Sequence, residues 1–162
     1  MNVIVAVDAN WGIGKDNQLL ASIPNDMKFF RNTTTGHTVI MGRKTLESFP
    51  WGKPLKNRNN IVITGDLSYH VDNAIVVHSV TEAVAEADRI GDVSFVIGGE
   101  SIYRQMLDYC DKAYITKIKH TYMADTYFPN LDQMDEWKVA EESEEMKHEG
   151  VKYSFVTYEK EK

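Results

Sequence analysis

The chain has little of what marks secreted, membrane-spanning or metal-dependent proteins. It contains a single cysteine, Cys110, which excludes an internal disulfide and a cysteine-rich zinc site. No apolar run approaches the roughly 18 residues that a membrane-spanning helix needs, and the N-terminus lacks the basic lead and apolar core of a signal peptide. The five histidines show no metal-ligand spacing, so we expect no metal site. These absences predict a cytoplasmic protein without a membrane partner.

Basic residues are also in the minority. The chain has 18 Lys and Arg residues against 24 Asp and Glu residues, and its net charge is −6. This balance argues against a general nucleic-acid or membrane-surface binder. Residues 42–60 are the exception, because they hold Glu47 as their only acid beside five cations: Arg43, Lys44, Lys53, Lys56 and Arg58. A small basic segment within an acidic chain suits a compact anionic ligand.

What is present predicts one α/β domain over residues 1–162. Hydrophobic residues make up 43% of the chain and charged residues 26%, which is typical of a globular domain. Short runs rich in Val and Ile, mostly without alternation, indicate strands that are covered on both faces, as in a largely parallel sheet. The predicted strands are Val3–Val7, Thr38–Met41, Asn60–Thr64, Ala74–Val77, Ser94–Ile97 and Lys112–Ile118.

Helical patterns lie between these strands. Pro24–Thr34 begins with proline, Ser79–Ile90 opens with a capping-box pattern, and Gly99–Leu107 follows a strand directly. In the tail, Trp137–Glu142 and Lys152–Glu159 alternate in part and bracket Met146–Gly150, the predicted turn of an antiparallel hairpin. The whole pattern predicts a three-layer α/β fold with a mixed, mostly parallel central sheet, flanking helices and a C-terminal antiparallel hairpin.

Two strand-to-helix junctions could bind an anion. Gly42 is followed by Arg43 and Lys44 at the start of a predicted helix, where free amides and two cations favour phosphate. At the other junction, Gly98 and Gly99 would let the backbone approach a ligand closely. Each junction could equally be a structural turn. Two of them in one small α/β domain favour a ligand with more than one phosphate at the carboxyl ends of the strands.

The standard phosphate motifs are missing. Gly12-Ile13-Gly14 begins like a dinucleotide fingerprint but has no third glycine, and the chain contains no P-loop sequence. The protein is therefore neither a standard Rossmann domain nor a P-loop enzyme.

Asp26 is the candidate catalytic acid. It lies in the first turn of the Pro24 helix and shares a helix face with Phe30, four residues later. If this face points inward, burial against apolar walls would raise the pKa of the carboxyl and suit it to proton donation. The alternative is an acid that only complements the helix dipole. Cys110 is expected to be a buried small residue and not a nucleophile.

Five short motifs together resemble one enzyme family. Each is modest alone, but their order and spacing from Asn2 to about Tyr158 resemble the bacterial dihydrofolate reductases. The motifs are Ile13-Gly14-Lys15-Asp16-Asn17, Ile23-Pro24-Asn25-Asp26, Met41-Gly42-Arg43-Lys44-Thr45, Ile97-Gly98-Gly99 and Asp125-Thr126-Tyr127-Phe128-Pro129.

The resemblance implies a monomeric, cytoplasmic, monofunctional enzyme that uses NADPH to reduce 7,8-dihydrofolate to tetrahydrofolate. A hydride would pass from nicotinamide C4 to pterin C6, and N5 would take a proton. Asp26 would bind the pterin amino group and N3 and assist the protonation. Antifolate inhibitors would compete for the same site, and the product would support one-carbon metabolism.

The resemblance also implies roles for individual residues. Arg58 matches the arginine that pairs with the α-carboxylate of the glutamate tail, and Thr116 matches the threonine behind the acid. The other implied substrate contacts are Ile4, Val5, Met27, Phe30, Phe49, Leu55 and Ile97. The implied cofactor contacts are Ala6, Ile13, Gly14, Leu19, Gly42, Arg43, Lys44, Thr45, Ile63, Thr64, Gly65, His78, Ile97, Gly98, Gly99, Glu100, Ser101, Ile102, Tyr103 and Thr126.

Two backbone features follow from the same resemblance. The Gly98–Gly99 peptide bond matches one that is cis in the family. The segment from Ala9 to Ile23 matches a mobile loop that closes over the nicotinamide.

The chain departs from the family pattern near the acid. Ala21 stands where the family usually has a tryptophan and leaves space beside the pterin; Trp11 and Trp51 are the candidates to compensate. Ala124 replaces the usual glycine before Asp-Thr and is expected to stiffen a loop that contacts the mobile segment.

A second departure concerns the 2′-phosphate of the cofactor. Ser101 stands where many members have a basic residue, and Gly65 stands where serine or arginine is common. Selectivity for the phosphate would then rest on Arg43 and Lys44, with Thr64 assisting.

Two alternatives remain open at this stage. One is a pterin-like or pyrimidine reductase of the same fold, as in riboflavin synthesis, which would have no use for Arg58. The other is a nucleotide-binding module without catalysis, which would need no carboxylate in an apolar setting.

Overall fold

The computed structural model describes residues 1–161, which form twelve strands, four α-helices and three short 3₁₀ helices. The helices are α1 Pro24–Thr34, α2 Arg43–Glu47, α3 Val80–Ile90 and α4 Glu100–Met106, with 3₁₀ turns at Pro50–Gly52, Leu107–Tyr109 and Leu131–Gln133. The strands are β1 Asn2–Val7, β2 Gly12–Lys15, β3 Gln18–Leu19, β4 Thr38–Gly42, β5 Asn59–Ile63, β6 Ile75–Val77, β7 Ser94–Gly98, β8 Lys112–Ile118, β9 Thr126–Tyr127, β10 Trp137–Glu142, β11 Met146–His148 and β12 Val151–Lys160.

A mixed central sheet organises these elements. Its strand order is β10-β12-β8-β1-β7-β4-β5-β6, and β11 pairs with β12 off this path. The five pairings from β8 to β6 are parallel, whereas β12 runs antiparallel to β8, β10 and β11. The predicted fold class, a mostly parallel mixed sheet that ends in antiparallel strands, is confirmed.

Local sequence signals explain where the two long helices begin and end. Pro24 occupies the first turn of α1, where its missing N–H costs nothing. The Ser79 side chain accepts a hydrogen bond from the Glu82 N–H at 3.1 Å and caps α3, and Gly91 ends α3 in the left-handed conformation at φ 77°. Both helices match their predicted bounds, with Ser79 as the cap of α3.

Apolar side chains cover both faces of the central sheet. One cluster joins sheet residues such as Val3 and Ile115 to α3 and α4, whereas the other joins Ile4 and Met41 to the Phe29 and Phe30 rings of α1. The alternation of Val3 and Ile4 between the clusters shows that β1 is buried on both sides, which gives the predicted three layers. No helix within residues 1–161 is long and apolar enough to span a membrane.

Two segments differ from the sequence-based expectation. The mobile loop predicted from Ala9 to Ile23 contains a small hairpin, β2–β3, which joins β9 in a separate three-stranded sheet. In the tail, the predicted turn Met146–Gly150 contains a strand, β11, so the tight turn lies at Glu149–Gly150 alone. Both segments form strands because they pair with other strands of the protein. Their own short sequences do not indicate this pairing.

The glycines of β2 allow close packing against neighbouring chain. A Cβ added to Gly12 would lie 2.6 Å from the Ala124 Cβ, and one added to Gly14 would lie 2.9 Å from the Thr126 hydroxyl. The Gly-x-Gly sequence therefore serves strand packing here, in agreement with the absence of a Rossmann fingerprint.

The turn between β7 and α4 packs tightly on α2. Gly98 has φ 149°, and an added Cβ would lie 2.8 Å from the Thr45 hydroxyl and 3.2 Å from its methyl carbon. The Gly98–Gly99 peptide bond is cis, as the family resemblance implies. Only glycine fits position 98, both for its backbone conformation and for its contact with α2.

We predict that Gly98→Ala lowers the free energy of unfolding by about 1–3 kcal/mol, because the added methyl group forces Thr45 or the turn to move. Urea unfolding followed by tryptophan fluorescence measures this change. Gly65→Ala is the matched control, since an added Cβ there meets no atom within 4 Å. Equal effects of the two substitutions would contradict the packing argument.

Candidate active site

The candidate site lies where the carboxyl ends of several parallel strands meet. Ala6 near the end of β1 pairs with Thr116 of β8, and Met41 of β4 pairs with Gly98 of β7. Parallel strands in register bring their C-terminal ends to one edge, where ligands of open α/β sheets bind. The segments that follow β4 and β7 therefore begin at this edge.

Asp26 lies near this edge, on the first turn of α1. Its carboxylate is half-buried, and Oδ1 accepts a hydrogen bond from the Thr116 hydroxyl at 2.6 Å. Burial raises the pKa of the Asp26 carboxyl, and the Thr116 hydrogen bond offsets part of the rise. A carboxyl in this state can share a proton with a bound base or accept paired N–H groups.

An apolar cluster includes Phe30, which lies one helical turn after Asp26. It also contains Ile4 and Ile97, which are buried within β1 and β7, together with Phe49 and Leu55. The structure thus brings together five residues that the sequence analysis assigned to a pterin and benzoyl pocket, although they come from five different segments.

Two other residues that the sequence analysis assigned to the substrate, Val5 and Met27, lie outside this apolar cluster. Val5 packs with the cluster on the opposite face of the sheet. Met27 is 51% exposed, and its sulfur accepts a hydrogen bond from the Ser22 hydroxyl at 3.5 Å. Neither side chain belongs to the apolar cluster around Ile4 and Ile97.

A basic cleft of about 1000 Å³ lies beside this apolar cluster and shares Phe49 and Leu55 with it. Four of its twelve lining residues are cations and the other eight are uncharged. The cations are Arg31, Lys53, Lys56 and Arg58. The cleft suits the carboxylates of an elongated, partly aromatic ligand.

Neutral groups orient Arg58 within the cleft. Its Nη1 donates to the Thr34 hydroxyl at 3.1 Å, and its Nε donates to the Lys56 carbonyl at 2.9 Å. Burial and the nearby Arg31 cation lower the pKa of the Arg58 guanidinium, which still stays charged at neutral pH. Arg58 is therefore held in place with its charge unpaired by any of these groups, and it can bind an anion together with Arg31.

The predicted phosphate site lies at α2 and the two following sheet strands. Arg43 donates from Nη1 to Asp66 Oδ2 at 3.2 Å, and His78 Nδ1 donates to the Thr64 carbonyl at 2.9 Å. Ile63 ends β5, and Gly65 leaves open space beside its backbone. Lys44 and Thr45 follow Arg43 on α2.

The cradle near Gly42 and Gly98 fits a phosphorylated ligand. A Cβ added to Gly42 would lie 3.1 Å from the Ile102 side chain, and Gly98 lies against Thr45. The two turns therefore have room only for bare backbone. With the cations of α2, these glycine turns fit a dinucleotide with several phosphates.

The segment predicted to cover the nicotinamide is tied down on both sides. Asn17 donates from Nδ2 to the Lys44 carbonyl at 2.9 Å, and the Asp16 N–H donates to Asp125 Oδ2 at 2.9 Å. The Glu100 carboxylate accepts a hydrogen bond from the Tyr127 N–H at 2.6 Å, which links α4 to β9. These contacts bring the hairpin that contains Ile13 and Gly14 close to α2.

The other predicted cofactor contacts differ widely in burial. Ile102 and Tyr103 are buried in the core, where the Tyr103 hydroxyl donates to the Ile4 carbonyl at 3.0 Å. Leu19 is 70% exposed on β3. The short strand of Thr126 pairs with Gly14, while Gly99 caps α4 and Ser101 lies within it.

The sequence analysis missed several residues of this site. Arg31 gave no signal beyond its position in the last turn of α1, and Asn17 and Asp125 act through contacts with distant parts of the chain. Asp66 also went unassigned. A pairing of charges 23 residues apart, as between Arg43 and Asp66, cannot be read from spacing.

Neither tryptophan fills the space that Ala21 leaves. Ala21 packs against the cluster of Ile23, Ile118 and Tyr153, whereas Trp11 stacks near Phe128 in another cluster. Trp51 is 90% exposed. The cluster beside Ala21 therefore contains neither tryptophan.

Metal ligands and reactive thiols do not assemble at the site. Within residues 1–161, no group of three or more His, Cys, Asp or Glu side chains could hold a metal ion. Cys110 is fully buried and its pKa is raised to about 12 by burial, so it is a structural residue as expected.

Comparisons with known proteins agree with this geometry. A family model described as dihydrofolate reductase matches residues 1–160. A dihydrofolate reductase of Bacillus subtilis is 40% identical over 162 residues, which cover 99% of this chain and 94% of that protein. One from Staphylococcus aureus is 39% identical over 140 residues, which cover 86% of this chain and 84% of that protein.

A solved structure is similar throughout. Dihydrofolate reductase from Enterococcus faecalis, complexed with NADP(H) and a compound named RAB-propyl, superposes with a TM-score of 0.91. It is 32% identical, and the match covers 99% of this chain and 96% of that one. The family match, the two relatives and the shared fold lead to one conclusion: the chain belongs to the dihydrofolate reductase family.

Proposed function

We propose that this protein reduces 7,8-dihydrofolate to 5,6,7,8-tetrahydrofolate, by hydride transfer to pterin C6 and protonation of N5. As a member of its family it is an NADPH-dependent oxidoreductase. One observation of the site carries the proposal: a half-buried carboxylate with a raised pKa, Asp26, lies beside an apolar cluster that continues into a basic cleft. Its product would supply one-carbon metabolism, including thymidylate, purine and glycine synthesis.

The pocket matches the three parts of the substrate, which are the pterin ring, the benzoyl group and the glutamate tail. Asp26 would accept hydrogen bonds from the pterin amino group and N3, while Thr116 holds its second oxygen. Ile4, Ile97 and Phe30 would contact the ring faces, and Phe49 and Leu55 would contact the benzoyl group. Arg58 would pair with the α-carboxylate in a two-point contact.

The tail-binding cleft also argues against the alternatives. A reductase whose substrate lacks an acidic tail would gain nothing from Arg58 and the other cations of the cleft. A binding module without catalysis would gain nothing from a carboxylate whose burial is costly.

The cofactor supplies the hydride when it is bound. The chain would hold its phosphates with Arg43, Lys44 and the backbone of Gly98 and Gly99. The hairpin containing Ile13 would cover the nicotinamide, and the remaining assigned contacts follow from the family resemblance. Holding donor and acceptor carbons together and excluding water is the main work left to the protein.

Asp26 would also govern proton delivery. Because burial raises its pKa, it is more easily protonated than an exposed aspartate, and it can stabilise a proton on the substrate near N5. We further propose that residues 1–162 act as one domain and as a cytoplasmic monomer that antifolates inhibit. The family match over residues 1–160 supports the single domain.

Of the predictions about the site, the first is that Asp26→Asn lowers turnover with NADPH and dihydrofolate at neutral pH by about 10²–10⁴-fold, because the amide cannot share a proton. The loss of NADPH absorbance measures turnover, with an antifolate added to identify the specific rate. Asp88→Asn, on the exposed side of α3, removes the same charge as a control. Turnover of Asp26→Asn near that of the wild type would refute the role of Asp26.

The same substitution is predicted to raise stability at neutral pH. The raised pKa of Asp26 in the folded state means that burying the charged form costs free energy at neutral pH. This cost disappears as pH falls below the pKa of an unfolded aspartate, since both states are then protonated. Urea unfolding of Asp26→Asn should show a higher free energy of unfolding than the wild type at neutral pH, and this difference should vanish in acid. Any difference between Asp88→Asn and the wild type should not follow this pattern.

The third prediction concerns cofactor preference. Because Gly65 and Ser101 replace common polar or basic residues, we expect a weaker preference for NADPH over NADH than in relatives with a cation there. Gly65→Arg should raise the ratio of kcat/KM for NADPH to that for NADH by about fivefold to tenfold, through a charge-assisted bond to the 2′-phosphate.

Gly65→Gln is the matched control, because it adds similar bulk without charge in the same open space. If glutamine raises the ratio as much as arginine does, charge at position 65 is not the cause.

A further inference from the structure

The guanidinium of Arg43 is enclosed on three sides by the protein itself. Its Nη1 donates to Asp66 Oδ2 at 3.2 Å, its Nε lies 3.5 Å from Glu47 Oε1, and its central carbon lies 4.3 Å from the Tyr69 ring centre. The Arg43 and Asp66 side chains are 37% and 44% exposed, so the pair lies at the protein surface.

The planar fork of Arg43 leaves a phosphate few ways to bind. Within residues 1–161, the Nε atom is buried and has no hydrogen-bond partner. A two-point contact with phosphate needs two neighbouring N–H groups, and the burial of Nε leaves only the pair on Nη1 and Nη2. Asp66 already holds one of the two N–H groups of Nη1, so a phosphate that binds the Nη1–Nη2 pair must compete with the Asp66 carboxylate for Arg43.

The Asp66 carboxylate is fixed in place by its own turn. Its Oδ1 accepts hydrogen bonds from the Ser68 N–H at 2.9 Å and from the Ser68 hydroxyl at 2.7 Å, which leaves Oδ2 for Arg43. The Ser68 hydrogen bonds, and then the Arg43 charge, lower the pKa of the Asp66 carboxyl. Asp66 is therefore a charged and oriented competitor at neutral pH.

Local charge makes the competition stronger. Arg43 and Lys44 are the two cations of α2, and the contacts of Arg43 bring in two carboxylates, Glu47 and Asp66. The positive charge available to a dianionic phosphate is therefore largely balanced before the ligand arrives.

We propose that Asp66 is a specificity-determining residue that competes with the 2′-phosphate of the cofactor for Arg43 and so lowers discrimination between NADPH and NADH. This inference rests on the proposed function only in placing the 2′-phosphate at Arg43. Asp66 would weaken the binding of the 2′-phosphate by occupying Arg43, and it would not contact the reacting atoms.

The test is calorimetric titration of the full-length wild type and of Asp66→Asn with NADP⁺ and with NAD⁺, without folate. Asparagine keeps the oxygen that accepts from Ser68 and presents its amide N–H₂ to Arg43, so the turn persists while the competing acceptor is lost. We expect the Kd for NADP⁺ to fall about fivefold, as for the loss of one exposed ion pair, and the Kd for NAD⁺ to change less than about twofold.

Two further variants make the result specific. Asp72→Asn removes one negative charge from the same loop, where Asp72 is exposed and pairs with His70, and should leave the ratio of the two Kd values unchanged. Asp66→Ser also removes the carboxylate and keeps a turn-forming side chain. It should have the same effect as Asp66→Asn, which would show that the effect comes from the lost carboxylate and not from the asparagine side chain.

The other outcomes overturn the inference in distinguishable ways. Weaker NADP⁺ binding by Asp66→Asn would show that Asp66 orients Arg43 for the phosphate, and an unchanged ratio would show that the pair plays no part in selectivity. If the wild type binds neither dinucleotide, this inference and the proposed function both fail. If it binds NADP⁺ and reduces dihydrofolate but the ratio does not move, only this inference fails.

Discussion

The burial of one carboxylate is the constraint to which the rest of the site is fitted. Asp26 lies one helical turn before Phe30 of an apolar cluster, and burial raises its pKa while a side-chain hydrogen bond from Thr116 offsets part of the rise. Such a group weakens the fold, because its charged form is poorly solvated. It is retained where chemistry needs a proton near neutral pH, and the structure supports it from two sides: Pro24 fixes the start of α1, and β8 presents Thr116 opposite. The acid therefore depends on a helix and a strand that are distant in sequence.

The parallel sheet extends this constraint to the cofactor side. Because β1, β4 and β7 end at one edge, the apolar pocket and the turns at Gly42 and Gly98 share that edge. Close contact between Gly98 and Thr45 fixes the distance between the two turns, and no side chain could be inserted without moving them. The candidate site for a phosphorylated ligand is thus made of backbone packed against the core, while the hairpin at β2 and β3 is attached through the packing of Ile13 and through hydrogen bonds such as that of Asn17.

The sequence predicted what local chemistry decides and missed what distant contacts decide. The start of α1 followed from Pro24, and the Ser79 cap of α3 followed from its capping-box pattern. The three-stranded sheet could not be predicted, because β3 and β9 have two residues each and form only by pairing with β2. The family resemblance assigned Tyr103 to the cofactor, but it could not indicate that its ring would be buried with its hydroxyl on the Ile4 carbonyl.

Two arginines show why position in an acidic chain does not by itself set the strength of an anion site. Arg58 is held by neutral groups, the Thr34 hydroxyl and a carbonyl, so its full positive charge remains for a ligand. Arg43 is held by carboxylates, chiefly Asp66, which orient it equally well but cancel much of its charge. The net charge of −6 says nothing of this difference, and neither does the basic character of residues 42–60, which include both arginines. What a cation can offer a ligand is decided by the charge of the groups that orient it, and Arg58 and Arg43 differ in this respect.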